Sequence, residues 1–303
     1  MGGVPGQLLC FWCRGGCSTA RVAGALAFFP PEEQTYHLHK DPHTKEIQFI
    51  VNPDLEPLPY ENTQTIILNT RRKKVITAVL YRAEGASKTI VYSHGNATDL
   101  GAMHDRYVGL ATILKVNVLA YDYTGYGQSS GDMCTEPDTY ADIEAACQWV
   151  IENISSNPAE DLILYGQSVG SGPSCYYASR HAAAGVILHS PFLSGMRVFT
   201  ASRALACLDI FPNIKRIQKV QCPVMVIHGL ADEEVPCAHG QGLHAAVPRD
   251  LQREPWWVPE KGHNNICSGD AIPEYYERIN KFLGSLKEEA EVQIDSGEIS
   301  LKN

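Results

Sequence analysis

The stretch Leu162–Gly170, LILYGQSVG, decides the fold class of this chain. Four residues typical of a buried strand run directly into Gly-Gln-Ser-Val-Gly, which fits the pattern G-x-S-x-G. Small residues follow, so a helix can begin at once and pack closely against the strand. The order strand, tight turn and helix predicts a nucleophile elbow, in which the hydroxyl group of Ser168 stands above the edge of a sheet.

The same pattern occurs a second time, as GQSSG at Gly127–Gly131. There the preceding apolar run ends near Tyr121, and the next helical stretch begins only near Pro137. Ser129 therefore lies in the middle of a loop, away from the free N–H groups of a helix start. We predict that Ser168 is the nucleophile and that Ser129 only helps to shape the floor of the site.

Apolar runs alternate with helical stretches on both sides of the elbow, between about residues 62 and 285. This alternation predicts an α/β protein with a mostly parallel sheet, helices on both faces and an antiparallel hairpin at one edge. The predicted strands are Gln64–Asn69, Val75–Tyr81, Thr89–Tyr92, Val116–Tyr121, Leu162–Tyr165, Gly185–Leu188, Val224–Ile227 and Trp256–Val258. A further short strand is predicted near Ile47–Val51, and helices are predicted over residues 100–114, 137–153, 169–182, 197–208, 237–247 and 272–285.

Composition narrows the functional classes. With 303 residues, 44% of them apolar and 19% charged, the chain can bury a large core and is not a disordered protein. The formal charge of −9 argues against a nucleic-acid partner. We find no run of about 18 apolar residues that would predict a membrane-spanning helix, and no basic region typical of a signal peptide. Because metal-binding and phosphate-loop motifs are missing too, we expect neither a metal nor a cofactor.

A serine hydroxyl is a poor nucleophile at neutral pH, so it needs a base and a carboxylate that orients this base. Behind an elbow of this type, the acid follows a late strand and the histidine follows the last one. Asp232 lies in the loop after the apolar run Val224–Ile227 and is the acid that we predict. Its neighbours Glu233 and Glu234 are the alternatives.

The chain has 11 histidines, and His263 is the predicted base because it follows the last apolar run, Trp256–Val258. His189 and His228 lie at strand ends, where a buried and hydrogen-bonded structural role is expected. His94 comes too early in the chain order.

The oxyanion of an acyl-transfer reaction needs two converging N–H donors. Val169, the residue after the nucleophile, is the first one that we predict. The second is expected from the loop after the run Thr89–Tyr92, with Asn96 as the first choice and Ala97 as the second.

These motifs resemble those of the alpha/beta hydrolase domain-containing protein 17 family, over about residues 8 to 285. The matching stretches are ALAFFPP (25–31), SHGNATDLG (93–101), YDYTGYGQSSG (121–131), LYGQSVG (164–170), LHSPFLSGMRV (188–198), FPNIKRI (211–217), PVMVIHGLADEEV (223–235) and KGHNN (261–265). The chain departs from the family at Asn265, where an acidic residue is usual, and at the pair Leu230-Ala231. These departures bear on pKa tuning and substrate preference, since they remove no member of the triad.

The resemblance implies an α/β-hydrolase fold with a minimal lid, and a membrane-bound serine hydrolase that removes palmitate from protein cysteines. It implies that Ser168, Asp232 and His263 form the catalytic triad. A lipid esterase, such as a monoacylglycerol or lysophospholipid lipase, is the alternative, because one triad serves esters and thioesters alike. A catalytically silent, acylated scaffold is the alternative from another class.

The N-terminal cysteines Cys10, Cys13 and Cys17 are implied to be S-acylated and to hold the enzyme on membranes. Physical chemistry agrees, since one acyl chain binds a membrane only marginally and stable anchoring takes two signals. We therefore expect an anchoring segment over residues 1–30, an α/β-hydrolase domain over 31–285 and an acidic flexible tail over 286–303. The expected setting is the cytoplasmic face of the plasma membrane and endosomes, with a monomer acting on S-acylated membrane proteins.

Overall fold

The computed structural model describes residues 19–199 and 209–295 of the chain. An eight-stranded sheet with the order β10-β9-β8-β7-β5-β6-β4-β3 forms its centre, and a separate two-stranded hairpin pairs β1 with β2. In chain order, the strands of the described part are β1 Tyr36–Lys40, β2 Ile47–Val51, β3 Thr63–Asn69, β4 Val75–Tyr81, β5 Thr89–Ser93, β6 Asn117–Tyr121, β7 Leu162–Gln167, β8 Gly185–His189, β9 Val224–Gly229 and β10 Trp256–Val258.

The large sheet is mostly parallel, as the alternating sequence pattern predicts. Strand β4 pairs antiparallel with β3 and with β6, while the strands from β6 to β10 pair in parallel. Every residue of β5, β8 and β9 is buried, because helices cover both faces of the sheet. The predicted edge hairpin and parallel α/β architecture are therefore confirmed.

Helices pack on both faces of the sheet and enclose a hydrophobic core on each side. In chain order, the α-helices of the described part are α1 Thr19–Ala27, α2 His104–Leu114, α3 Glu136–Asn153, α4 Pro158–Asp161, α5 Ser171–Ala178, α6 Gly195–Phe199, α7 Asn213–Arg216, α8 Ala238–Ala246 and α9 Ile272–Asp295. Among these helices, none is both long enough and apolar enough to cross a bilayer.

Strand β1 is a difference from the sequence-based prediction, which places a single short strand, near Ile47–Val51, in this polar region. Its sequence Tyr-His-Leu-His-Lys leaves only Tyr36 buried, so the apolar signal is weak. The strand is held by its pairing with β2 and by the Tyr36 hydroxyl, which donates to Asp122 at 2.6 Å and accepts from the Gln128 N–H at 2.9 Å. Asp122 and Gln128 are distant in sequence from Tyr36, so no local pattern indicates these contacts.

The N-terminal helix α1 belongs to the packed body, although the predicted domain boundary lies after residue 30. Ala23 and Phe28 are each 6% exposed and join the larger core. The cysteines Cys10, Cys13 and Cys17 lie outside the described residues.

The C-terminal helix α9 continues to Asp295, past residue 286, where the acidic tail is predicted to begin. Lys, Glu and Ala are strong helix formers, which explains why the acidic stretch prolongs the helix. Residues 296–303 lie outside the described part, as do residues 200–208 of the helix that is predicted over 197–208.

Candidate active site

The elbow at Ser168 is formed as the sequence predicts. Strand β7 ends at Gln167, a single 3-10 turn covers Ser168–Gly170, and α5 follows directly. Ser168 has a φ of 50°, in the left-handed region that a serine rarely adopts. Such a strained residue persists only where its surroundings fix it, and it is typical of active sites.

The two glycines of the motif are needed for close packing. A Cβ atom on Gly170 would collide with the carbonyl oxygen of Ser93 at the end of β5. A Cβ atom on Gly166 would collide with the carbonyl oxygen of Gly170 itself. Strand β7, the turn and strand β5 can therefore approach this closely only with glycine at both positions.

The structure brings together Ser168, His263 and Asp232, which come from three separate loops. His263 Nε2 lies 2.8 Å from Ser168 Oγ, and His263 Nδ1 lies 2.7 Å from Asp232 Oδ2. With the ring proton on Nδ1 and donated to Asp232, Nε2 is free to accept the serine proton. This is the geometry of a nucleophile, a general base and an orienting acid.

Asp232 is held in its ionised form. Burial alone would raise the pKa of this carboxyl, but hydrogen bonds from His228, His263 and the Val235 N–H together hold the pKa well below its usual value. Oδ1 accepts from the N–H groups of Glu234 at 3.0 Å and Val235 at 2.8 Å. The carboxylate can therefore stabilise an imidazolium without taking its proton.

Neither alternative acid takes this place. His263 pairs with Asp232, while the Glu234 carboxylate accepts a hydrogen bond from Asn264 Nδ2 at 2.7 Å. Asn265, the departure from the family pattern, accepts the N–H of Gly262 at 2.7 Å through its Oδ1. It thereby supports the turn that carries His263.

His228 contributes to the site in a way that sequence reasoning missed. The ring is fully buried, as expected of a structural histidine. Its Nε2 lies 3.1 Å from Asp232 Oδ2 and 2.8 Å from the Val235 carbonyl oxygen. A histidine four residues before the acid, at the end of β9, is the signal that could have indicated this contact.

The loop after β5 places the predicted oxyanion donors beside Ser168. Asn96, Ala97 and Val169 all line the cavity above the serine. The Ala97 N–H already donates to the carbonyl oxygen of Phe29 at 3.0 Å. Of the two residues considered for the second donor, the backbone of Asn96 therefore fits better.

The side chain of Asn96 joins this loop to the N-terminal segment. Its Oδ1 accepts from the Phe29 N–H at 2.9 Å and from the Tyr126 hydroxyl at 2.6 Å. Its Nδ2 donates to the carbonyl oxygen of Ala27 at 2.8 Å. Ala27 and Phe29 themselves line the cavity, so the end of α1 and the residues after it form part of the candidate site.

Ser129 has a structural role, away from the chemistry. Its Oγ accepts from the Thr77 N–H at 2.9 Å and donates to the Asp122 carbonyl oxygen at 3.0 Å. It is not among the described residues that line the cavity, so the expectation that it helps to form the floor of the site is wrong. Ser129 instead fastens its loop to β4.

A cavity of about 750 Å³ opens above Ser168. Its volume is in the range of small-molecule sites. One wall is apolar and combines the N-terminal segment with the region between β8 and β9, where a small lid is expected. The apolar wall consists of Ala27, Phe29, Phe192, Val198, Ile210 and Phe211.

The elbow, the hydrogen-bonded Ser168, His263 and Asp232, and the parallel sheet define a serine hydrolase with the α/β-hydrolase fold. A family profile described as serine aminopeptidase, S33 (Hydrolase_4), matches residues 84–212. Among solved structures, an esterase from Pyrococcus furiosus superimposes with a TM-score of 0.61 at 19% identity, over 77% of this chain and 95% of the esterase. An esterase from Rhodococcus superimposes with a TM-score of 0.58 at 16% identity, over 73% of this chain and 99% of that one.

Relatives that match over nearly the full length of this chain identify its family. The chain is 38% identical over 283 residues to alpha/beta hydrolase domain-containing protein 17B of Homo sapiens, covering 91% of this chain and 95% of the relative. It is 37% identical over 299 residues to alpha/beta hydrolase domain-containing protein 17C of Xenopus tropicalis, covering 92% and 94%. The chain belongs to the alpha/beta hydrolase domain-containing protein 17 family.

Proposed function

We propose that this serine hydrolase is a thioesterase that removes palmitate and similar long acyl chains from S-acylated cysteines of membrane proteins. The observation that carries the proposal is the apolar wall beside Ser168. Each buried methylene group of a ligand contributes about 0.8 kcal/mol, so such a wall favours a long chain over a short one. Membership in the alpha/beta hydrolase domain-containing protein 17 family supports the same substrate class.

Acylation of the enzyme begins with attack of Ser168 Oγ on the thioester carbonyl carbon. His263 Nε2 takes the serine proton as the C–O bond forms, and Asp232 stabilises the resulting imidazolium. The N–H groups of Val169 and Asn96 hold the negative oxygen of the tetrahedral intermediate. The C–S bond then breaks, His263 returns its proton to the leaving sulfur, and a free cysteine departs from an acyl-serine.

Deacylation repeats these steps with water as the nucleophile. His263 Nε2 removes a proton from the water as its oxygen bonds to the acyl carbon. The bond from this carbon to Ser168 Oγ breaks, and the imidazolium protonates the serine. The fatty acid leaves, and the enzyme returns to its first state.

The proposed anchor places the enzyme where such substrates occur. We propose that Cys10, Cys13 and Cys17 carry acyl chains, which keep the enzyme on the cytoplasmic face of membranes. Helix α1 begins at Thr19, directly after this cluster, and the segment that follows it forms part of the apolar wall. The anchor and the acyl site would thus be adjacent.

A fluorophosphonate probe tests the chemistry first. We expect labelling of the wild type and of Ser129→Ala, and none of Ser168→Ala, because Ser168 is hydrogen-bonded to His263, whereas Ser129 is bonded to Thr77 and Asp122. Absence of label on the wild type, or equal label on Ser168→Ala, would favour the silent scaffold instead.

Substrate class is tested next by comparing kcat/KM for an S-palmitoyl cysteine peptide, a monoacylglycerol and a lysophospholipid. The proposal expects the thioester peptide to be the best substrate. Higher kcat/KM values for either lipid would favour the lipid-esterase alternative. Acyl-exchange proteomics of cells that express wild type or Ser168→Ala would then identify the acyl-proteins.

The anchor has its own test. Replacing Cys10, Cys13 and Cys17 with serine should move the protein from the membrane to the soluble fraction. Cys237→Ser, at a half-buried cysteine in the folded body, is the matched control and should leave the distribution unchanged. A triple variant that stays on membranes would contradict the anchor while leaving the thioesterase proposal intact.

A further inference from the structure

The lining of the cavity also includes polar side chains that the acyl chain does not explain. Arg106, in the first turn of α2, lines it together with His189, Asn264 and Cys267. Arg106 Nη2 donates to the carbonyl oxygen of Cys267 at 3.1 Å. The guanidinium group also lies over the ring of Tyr275, 5.3 Å from its centroid.

No carboxylate balances this cation in the part of the chain that the structure describes. Among the described residues, the half-buried Arg106 contacts the Cys267 carbonyl oxygen and the Tyr275 ring, and neither of these is a carboxylate. Glu234, the carboxylate that lines the same cavity, bonds to Asn264 instead. A guanidinium group stays charged and has five N–H donors in a planar array that matches a carboxylate. A partly desolvated arginine without an acid is unusual, because such charges are normally paired.

His189 gives a second, independent observation at the same place. It is 2% exposed, and its Nδ1 lies 2.9 Å from the hydroxyl of Tyr165. Its Nε2 is buried and has no hydrogen-bond partner in the described structure. Burial and the nearby charge of Arg106 both lower the pKa of His189, so the ring is neutral. When Tyr165 donates to Nδ1, Nε2 carries the proton and is a donor that lacks an acceptor.

The position of these groups assigns them to the leaving-group side of the reaction. His263 must deliver its proton to the leaving sulfur, so the thiol part of the substrate lies toward His263. Asn264 and Cys267 belong to the same loop as His263, and Arg106 contacts Cys267. The apolar wall is built from other segments, the end of α1 with the residues after it and the region between β8 and β9, and is left for the acyl chain.

We infer that Arg106, together with His189, forms a subsite for a carboxylate on the leaving-thiol side of the substrate. This inference rests on the proposed function and narrows its substrate class. The preferred acyl-cysteines would have an aspartate or glutamate directly beside the acylated residue. That carboxylate would supply the counterion that Arg106 lacks.

Two matched peptides test the subsite, one with Asp and one with Asn beside the S-acylated cysteine. For the wild type, we expect kcat/KM for the Asp peptide to exceed that for the Asn peptide by about tenfold, the usual effect of one hydrogen-bonded charge pair. In Arg106→Gln this ratio should fall toward one, and in Arg106→Lys it should be intermediate, since a charge remains without the planar array. Arg180→Gln is the control, because Arg180 also stacks on a tyrosine ring but lies outside the cavity-lining set.

The inference would be overturned if the wild type had a ratio near one, or if Arg106→Gln kept a ratio as high as that of the wild type. Neither result would contradict the proposed function. Inhibition of p-nitrophenyl ester hydrolysis by the two deacylated peptides gives the same comparison without thioester turnover. There the Asp peptide should inhibit the wild type about tenfold better than the Asn peptide, and equally well in Arg106→Gln. Equal inhibition of the wild type by both peptides would reject the subsite even if no thioester is hydrolysed.

Discussion

The side chain of Asn96 accepts the backbone N–H of Phe29 at 2.9 Å, across 67 residues of sequence. The next residue, Ala97, donates its N–H to the carbonyl oxygen of the same Phe29 at 3.0 Å. The loop that supplies the second oxyanion donor is therefore held by the segment that follows α1. The end of α1 and the residues after it therefore help to position the oxyanion loop.

Asn96→Ala should lower kcat much more than it changes KM, because the loop loses its hold on the N-terminal segment. A misplaced oxyanion donor reduces kcat by about tenfold to a hundredfold. The unfolding free energy should fall by about 1 kcal/mol, since backbone groups of the half-buried Ala27 and the exposed Phe29 lose their hydrogen-bond partner. Steady-state kinetics with a p-nitrophenyl ester and thermal melting measure both effects.

The control for this prediction is Asn62→Ala, which also removes a side-chain bond to a backbone carbonyl, that of Arg82, far from the site. It should leave kcat unchanged. A normal kcat in Asn96→Ala would show that the oxyanion loop keeps its position without the N-terminal segment.

Ser129→Ala should keep esterase activity close to that of the wild type but reduce stability. The substitution leaves the buried Thr77 N–H without its acceptor, which costs about 1–3 kcal/mol. Chemical denaturation and active-site titration at low temperature separate the two effects. Loss of probe labelling in a folded Ser129→Ala protein would contradict the structural role.

Gly170→Ala should abolish folding or activity, because the added Cβ would collide with the main chain of Ser93. Overpacking of this kind costs about 1–3 kcal/mol or more when the neighbour is backbone that cannot move. Gly284→Ala in α9 is the matched control, since a Cβ there meets nothing within 4 Å. This control should stabilise the protein by about 0.5–1 kcal/mol, and thermal melting of both variants provides the comparison.

Asp232→Asn should lower kcat by about 10³–10⁴-fold, as expected when the base loses its orienting carboxylate. The substitution should also change how the stability of the folded protein depends on pH. Because the pKa of Asp232 is depressed in the folded protein, its stabilising contribution is present above the carboxyl pKa of the unfolded chain, about 3.9. This contribution is lost as the pH falls through the lower pKa of the folded state.

Melting temperatures should therefore differ most between wild type and Asp232→Asn near neutral pH, and the difference should narrow below about pH 4. Asp132→Asn, at a carboxylate whose side chain is 82% exposed, is the control substitution. A difference that stays constant between neutral pH and pH 3 would mean that Asp232 is not held by ionic hydrogen bonds.

Local sequence patterns were sufficient to predict the nucleophile elbow and the parallel strands. A buried strand has a continuous apolar run, and Gly166 and Gly170 show where backbones meet closely. The order of Asp232 and His263 after Ser168 follows from the same reasoning, since each comes directly after a strand. Strand β1 could not be found in this way, because its sequence is mostly polar and its partners come from β2 and the loop after β6.

Side-chain contacts between distant segments could not be predicted from the sequence. Nothing near Asn96 indicates that its amide binds Ala27 and Phe29, since this depends on where α1 packs. In the sequence, Arg106 is an ordinary helix residue. Its contacts with Cys267 and Tyr275 become known only from the structure. His228 was predicted to be structural, and the structure adds that it bonds to Asp232.

The short stretch of chain between Cys17 and the cavity would limit how far the active site of a lipid-anchored enzyme can lie from the membrane. Helix α1 has nine residues and is about 13 Å long, and the two Cα–Cα steps from Cys17 to Thr19 span at most about 7 Å. A lipid on Cys17 would hold Ala27, and with it the cavity wall, within roughly 20 Å of the bilayer surface. Acyl-cysteines at the membrane surface would then be accessible, whereas those raised on a tall folded domain would not. Selection among acylated proteins would then depend on height above the membrane as well as on sequence.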